Sequence, residues 1–238
     1  MSLGWSSSRR RKADENAPLA RAVGRVVKPP NVDALVRATL RKLSAGGATV
    51  FETSGVLAEL GDSLVLTSLT LDEVCCRAIG SYVAHASLYE LVFSDVTFEH
   101  ARAFGALCEG VASCPSLVNL VFTNCGLDDA NANKLGMAVQ RARGSLRTLK
   151  LRDNAMLCPS GLLEALQHAD SLESLDLSNN PIDDDAASHV ASAIRCGCPN
   201  LGVLLLRGTQ VSDAGEREVV QAAKARPAMC AKVLVTFD

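Results

Sequence analysis

One phrase recurs along this chain: a leucine or similar residue, two variable residues, a leucine, one variable residue and a third leucine. It begins at Leu66 (LTSLTL), Leu88 (LYELVF), Leu117 (LVNLVF), Leu146 (LRTLKL), Leu172 (LESLDL) and Leu201 (LGVLLL), with a weaker seventh copy at Cys230 (CAKVLV). Successive starts lie 22, 29, 29, 26, 29 and 29 residues apart. A period of this size marks stacked units, none of which buries its apolar face alone. Such a stack offers surface for binding far more often than it does chemistry.

The composition agrees with a stack built from aliphatic side chains. Apolar residues make up 48% of the 238 positions but aromatics only 4%, so leucine, valine, isoleucine and alanine must fill the core. The net charge of -2 is unevenly spread. Residues 1–30 hold seven Lys/Arg against two acids, leaving the repeats acidic and unsuited to clamping nucleic acid. Nucleic-acid contact is expected only through the basic run Arg9-Arg10-Arg11-Lys12. No apolar stretch reaches the ~20 residues that a membrane helix needs. The nine cysteines are an odd number and no apolar signal segment opens the chain, which argues against a secreted disulfide scaffold. Cys114 and Cys198 each stand three residues before a strand phrase (CPSL, CPNL) and read as small buried hydrophobes in a reducing compartment.

Three segments are expected. Residues 1–30, ending at Pro29-Pro30, read as a basic, disordered arm. A mitochondrial presequence or a nuclear-localisation signal is an alternative reading of the same arm, with Asp14 and Glu15 counting against the presequence. Residues 31–63 read as a helical cap: over 31–44 Val32, Leu35, Val36, Leu40 and Leu43 share a face behind an Asn31 N-cap. Residues 64–238 hold the repeats, with about seven strands. Within the unit at Leu172, alternation sends Leu172, Leu175 and Leu177 inward, Asn180 is its ninth residue, Ile182 its eleventh, and Asp183 or Asp184 caps the following helix. Cys125 and Asn154 hold the ninth place in the two preceding units. Aspartates near the helix start recur at Asp129, Asp184 and Asp213. The 22-residue first unit predicts compression, with a helix over roughly 73–86 directly after the strand. The unit at Leu146 is short as well and carries Cys158-Pro159 where a capping acid is expected.

The unit length, the outer helices and turn phrases such as NCGLDDA and GTQVSDAG resemble the ribonuclease-inhibitor-like class of leucine-rich repeat proteins. The resemblance covers residues 64–238. It implies an α/β solenoid shaped as a horseshoe, with a parallel β-sheet on the concave face and α-helices on the convex face. It also implies a non-catalytic protein-interaction module, a scaffold or subunit of a larger intracellular assembly, cytoskeletal, flagellar or organellar. A cytoplasmic, cytoskeleton-associated location follows from that reading, with a mitochondrial one as the alternative. Two other functions stay open. One is a GTPase-activating regulator acting through Arg152 or Arg207, just after strands; the other is a mitochondrial ribonucleoprotein subunit.

Alternation places the second, third and fifth residues of each phrase on the inner face. For the first phrase these are Thr67, Ser68 and Thr70, and for the last Ala231, Lys232 and Leu234. Between them the candidate partner-binding residues are Tyr89, Glu90, Val92, Val118, Asn119, Val121, Arg147, Lys150, Glu173, Asp176, Val203 and Leu205. Valines and leucines at both flanks mark contact surface, and the central basic and acidic pairs are expected to satisfy one another across strands. A second candidate surface is the C-terminal edge, Val233, Leu234, Val235 and Phe237, whose unpaired backbone invites a partner or a second copy. No cofactor or metal is expected. Gly61-Asp62-Ser63-Leu64 spells an esterase signature, but Asp185 and His189 have the wrong spacing for its partner motif, and a turn entering the first strand is the plainer reading. Cys75-Cys76 and Cys196-Gly197-Cys198 lack the histidines or second thiol pair of a zinc site.

Overall fold

The computed structural model describes residues 62–142 and 144–237. The basic arm, the capping helix expected at 31–44 and Asp238 lie outside the described residues. Seven strands form one parallel sheet: β1 Ser63–Thr67, β3 Glu90–Ser94, β5 Asn119–Thr123, β6 Thr148–Lys150, β7 Ser174–Asp176, β8 Val203–Leu205 and β9 Leu234–Thr236. Two short strands, β2 Thr70–Leu71 and β4 Thr97–Phe98, pair separately. Six helices alternate with the strands among the described residues: α1 Glu73–His85, α2 Ala101–Ser113, α3 Asp129–Arg141, α4 Ser160–Leu166, α5 Asp184–Cys196 and α6 Asp213–Lys224.

The order of the sheet follows the order of the chain, so every crossover steps to the next position in the same direction. Parallel crossovers are almost always right-handed, which puts all the helices on one face. Burial follows suit. The inward rungs Leu64, Leu91, Leu120, Leu149, Leu175 and Leu204 are buried, while their strand neighbours on the other face stay partly or fully open, Asp176 excepted. A second rung, Leu66, Phe93, Phe122, Leu151, Leu177 and Leu206, is buried as well. Phe93 and Phe122 stack at 4.8 Å, and Phe104 meets Phe122 edge-on at 5.6 Å. Phe98 joins them, so that four of the six phenylalanines form one cluster beneath β3 and β5.

Six of the seven strands of the sheet, all but β9, are followed by one device. Ser68, Asp95, Asn124, Asp153 and Asn179 all have φ between 52° and 57°, and Gly208 has φ 63°. They hold the eighth place of six consecutive units. The residue types there are those that tolerate the left-handed region at low cost. Their amides continue the ladder past the strands: Asp95 N donates to Thr123 O, Asp153 N to Ser178 O and Asn179 N to Arg207 O. Side chains add a second ladder, with Asn124 Nδ2 donating to Asp95 Oδ1 and Asn179 Nδ2 to Asp153 Oδ1, each at 2.6 Å.

One residue later the asparagines tie neighbouring turns together. Asn154 Oδ1 accepts from Cys125 N at 3.0 Å and Leu127 N at 3.1 Å. Its Nδ2 donates to the carbonyls of Phe122, Leu151 and Arg152. Asn180 repeats the pattern on Met156 N, Leu151 O and Leu177 O. Cys125 is a weaker version, its Sγ donating to Phe93 O and Thr123 O.

The helices start on Asp72, Asp128, Asp183 and Ser212, whose side chains accept from first-turn amides. Asp129 and Asp184, one residue later, act elsewhere: they reach into the next unit. Asp129 Oδ1 accepts from Leu157 N and Cys158 N, and Asp184 accepts from Ser212 N and Oγ. These bonds hold the Asp184 carboxyl below its ordinary pKa. Asp129 thereby supports the start of α4, where Pro159 supplies no side-chain cap and the helix has only 7 residues. Between α1 and α2 the chains approach so closely that a Cβ on Gly110 would lie 2.1 Å from Gly80 O.

Two expected registers are wrong. Leu64 pairs with Leu91 and Leu66 with Phe93, so Leu66 is the sixth residue of the first phrase, not its first. That unit is not compressed: Ser63 and Glu90 are 27 residues apart, and a full turn with β2 stands before α1. The open-face residues of β1 are therefore Ser63, Val65 and Thr67; Ser68 lies in the turn and Thr70 in β2. At the other end Leu204 pairs with Val235, so the last phrase starts at Lys232 and not at Cys230. Its open-face residues are Leu234 and Thr236 in place of Ala231 and Lys232.

Candidate partner-binding surface

The face of the sheet turned away from the inward leucines is formed by rows that run across strands. One row reads Ser63, Glu90, Asn119, Thr148, Ser174, Val203 and Leu234, each opposite the next. The next reads Val65, Val92, Val121, Lys150, Asp176, Leu205 and Thr236. Directly before the strands stand Tyr89, Val118, Arg147, Glu173, Gly202 and Val233.

The structure brings Val92 and Val121 side by side and adds Val65, which the slipped register of the first phrase hides from the sequence. All three are partly exposed, and Tyr89 is 52% exposed beside them in sequence with Glu90. Val118 and Asn119 occupy the same positions in the next unit, both partly exposed. Three adjacent valines on an open face are a patch, not scattered surface residues. Polar neighbours rim it: Ser63 Oγ donates to Glu90 Oε2 at 3.3 Å.

The centre is charged. Arg147 bonds Glu173 across the β6–β7 step, with both side chains half exposed. An exposed pair of this kind contributes about 0–1 kcal/mol, so it sets local charge more than stability. Lys150 stands opposite Asp176 in register, but the second expected pair is not made. Asp176 is buried, and its Oδ1 accepts from Ser178 N at 3.0 Å. Lys150 is exposed between Val121 and Asp176.

At the far side Val203 lies opposite Leu234 and Leu205 opposite Thr236. Leu234 is 63% exposed. Val233, Val235 and Phe237 are partly exposed at the last strand, which pairs only with β8 among the described residues.

The chemical alternatives gain little from the geometry. Arg152 Nε is held by Asp153 Oδ2 at 2.9 Å, and Arg207 is exposed one residue before the turn glycine Gly208. Ser63 sits within β1, bonded to Glu90, and its hydroxyl has no histidine partner among the described bonds. Cys75, Cys76, Cys108, Cys114, Cys125 and Cys198 are buried, and Cys158 and Cys230 are partly exposed. Burial pushes the Cys76, Cys108 and Cys198 thiols up to about 12, the opposite of a nucleophile. Among the described residues no cluster of His, Cys, Asp and Glu is placed to hold a metal ion, and no helix is long and apolar enough to cross a membrane. What the sequence reading missed is the eighth-place row of Ser, Asp, Asn, Asp, Asn and Gly. The recurrence of turn-forming types three residues after the fifth phrase position is the signal that could have revealed it. No protein-family model matches the chain, and no curated protein matches it.

Proposed function

We propose that this chain is a leucine-rich repeat protein of the ribonuclease-inhibitor-like type, a horseshoe solenoid that binds a protein partner on its concave sheet face. It is a non-catalytic scaffold or subunit of an intracellular assembly. The observation that carries the reading is the in-register row Val65, Val92 and Val121, apolar and partly exposed on the face opposite the inward leucines. A parallel sheet ordinarily has both faces covered. An uncovered apolar row fits a surface completed by another chain, with Tyr89 as the aromatic anchor and the Arg147–Glu173 region as a polar boundary. The in-register leucine rungs and the asparagine ladder support the repeat assignment. The buried thiols of Cys76, Cys108 and Cys198 support a reducing compartment. Mitochondrial and cytoskeletal locations are both compatible with that chemistry.

The test is affinity capture from native extract with the wild-type chain and with Val92→Asp/Val121→Asp, followed by binding of the recovered protein in purified form. The reading expects a partner whose purified binding weakens at least about tenfold in the variant while circular dichroism is unchanged. Full binding by the variant would refute the assignment to this face.

A further inference from the structure

A second surface lies at the β9 end of the sheet, away from the valine row. There a groove of about 510 Å³ opens between the end of α6 and β9. Its apolar wall is Val220, Ala223, Pro227, Val233 and Val235. Three cations line it, Lys224, Arg226 and Lys232, and no acid does among the described residues. This is a local excess of positive charge on a chain whose net charge is -2.

The edge beside the groove is competent for pairing. Leu234 N donates to Gly202 O, and Thr236 O accepts from Leu206 N, so these residues spend their backbone groups on β8. Alternation along a strand turns the N–H and C=O of Val235 to the free side. The inward ladder is also more open there among the described residues. Leu64, Leu91, Leu120, Leu149, Leu175 and Leu204 are at most 3% exposed, whereas Val235 on the same ladder is partly open. Arg226 adds to the field. Its Nη1 donates to Leu201 O and its Nη2 to Cys198 O, while Nε is buried without a partner and no carboxylate neutralises the group among the described residues.

We infer that this groove and edge receive an extended, acidic segment of another protein, apolar at alternate positions, which adds a parallel strand to β9. Its central apolar side chains extend the ladder over Val235 into the groove, and carboxylates towards its two ends, on that same face of the added strand, meet Lys224 and Lys232. Backbone pairing supplies affinity, and the one-signed rim supplies the preference for acidic sequences.

The probe is a fluorescein-labelled peptide with valine at alternate central positions and aspartate or glutamate at each of its two ends; the control carries lysine at every acidic position. Binding to the full chain is read by fluorescence anisotropy. The acidic peptide is expected to saturate and to weaken at least about tenfold on Lys224→Glu/Lys232→Glu, since two ion pairs change sign. Val233→Asp should abolish binding, and Val92→Asp, on the separate valine row, should leave it intact. Arg226 is left unchanged because it holds two backbone carbonyls. Circular dichroism of each variant checks the fold, and Ala223→Asp gives a second groove variant if Val233→Asp does not fold. Failure of the acidic peptide to bind, equal binding of the lysine peptide, or insensitivity to the charge reversal overturns the proposal. So does sedimentation of the chain as a dimer that the same reversal dissociates, which would make a second copy the occupant.

Discussion

Replacing Asn154 by alanine should cost more than any change on the open face, although no partner touches it. Asn154 is only 9% exposed and binds two amides and three carbonyls. Truncation strands the N–H groups of Cys125 and Leu127 in the interior between units. A buried donor without a partner costs about 1–3 kcal/mol, so the pair predicts a loss of about 3–4 kcal/mol. A water molecule entering the vacated space would keep the loss near the lower end. With a urea slope of about 2 kcal/mol per molar, the midpoint should fall by about 1.5–2 M. Asn119→Ala, on the open face, should stay within about 0.5 kcal/mol. Asn154→Asp separates the two halves of the amide's role: it keeps an acceptor for the amides but points a carboxylate at three carbonyls, and should be no better than alanine at neutral pH. Asn154→Cys copies the arrangement at Cys125 and should recover part of the loss. Equilibrium urea unfolding followed by circular dichroism reads all four. A loss below about 1 kcal/mol for Asn154→Ala would refute the idea that the ninth-place side chains fasten the turns.

Two further outcomes follow from packing and burial. Gly110→Ala places a Cβ 2.1 Å from Gly80 O and must push α1 from α2, at a cost of about 1–3 kcal/mol, whereas Gly105→Ala meets nothing within 4 Å and should stabilise α2 by about 0.5–1 kcal/mol; thermal unfolding of the two variants should shift in opposite directions. Burial raises the Cys76, Cys108 and Cys198 thiols from 9.0 to about 12, so an aromatic disulfide reagent should modify the partly exposed Cys158 and Cys230 long before these three. The same shifts set a sign for alkaline pH: the unfolded chain loses these protons first, so their contribution is complete below about 9 and is lost as pH rises towards 12, and the urea midpoint should fall over that window less steeply once all three are alanine.

Most of the sheet was legible because its signal is redundant. From Leu88 to Leu201 the phrase has leucine or phenylalanine at each inward place, so only one register satisfies all three positions, and the observed pairings Leu91–Leu120–Leu149–Leu175–Leu204 follow it. Both ends slipped where that redundancy fails. Around β1, Leu64, Leu66, Leu69 and Leu71 satisfy the phrase in two phases, and the true first place is occupied by Gly61. The difference of five residues is odd, so it exchanged the faces and hid Val65. At β9 the apolar run Val233-Leu234-Val235 carries no alternation to fix the phase. There the slip was two residues, an even number, so Leu234 kept its open-face position. The buried carboxylate of Asp176 was not legible either. Its role depends on the turn bringing Ser178 N within 3.0 Å, a backbone geometry that side-chain periodicity does not encode.

The cross-links between units also bear on how the two surfaces differ. Ser116 Oγ donates to Leu88 O, Ser171 Oγ to Leu146 O, Cys114 Sγ to Ala86 O and Cys198 Sγ to Leu166 O, each joining a unit to the one before it. Asp129 and Asp184 reach in the opposite sense, to the unit that follows. An interior unit is therefore held from both sides, and two of the three strands of the valine row, β3 and β5, are held in this way, while β1 pairs only with β3 among the described residues. A partner binding there meets a formed surface and spends little on ordering it. The β9 unit has support from one side alone among the described residues, and its ladder residue Val235 is partly exposed. Nearest-neighbour coupling makes such a unit the least stable of a stack. A segment that pairs with β9 supplies both the contact and the absent support, so occupation of the edge should stabilise the fold as well as the complex, whereas occupation of the valine row should stabilise the complex with little change in the order of the chain.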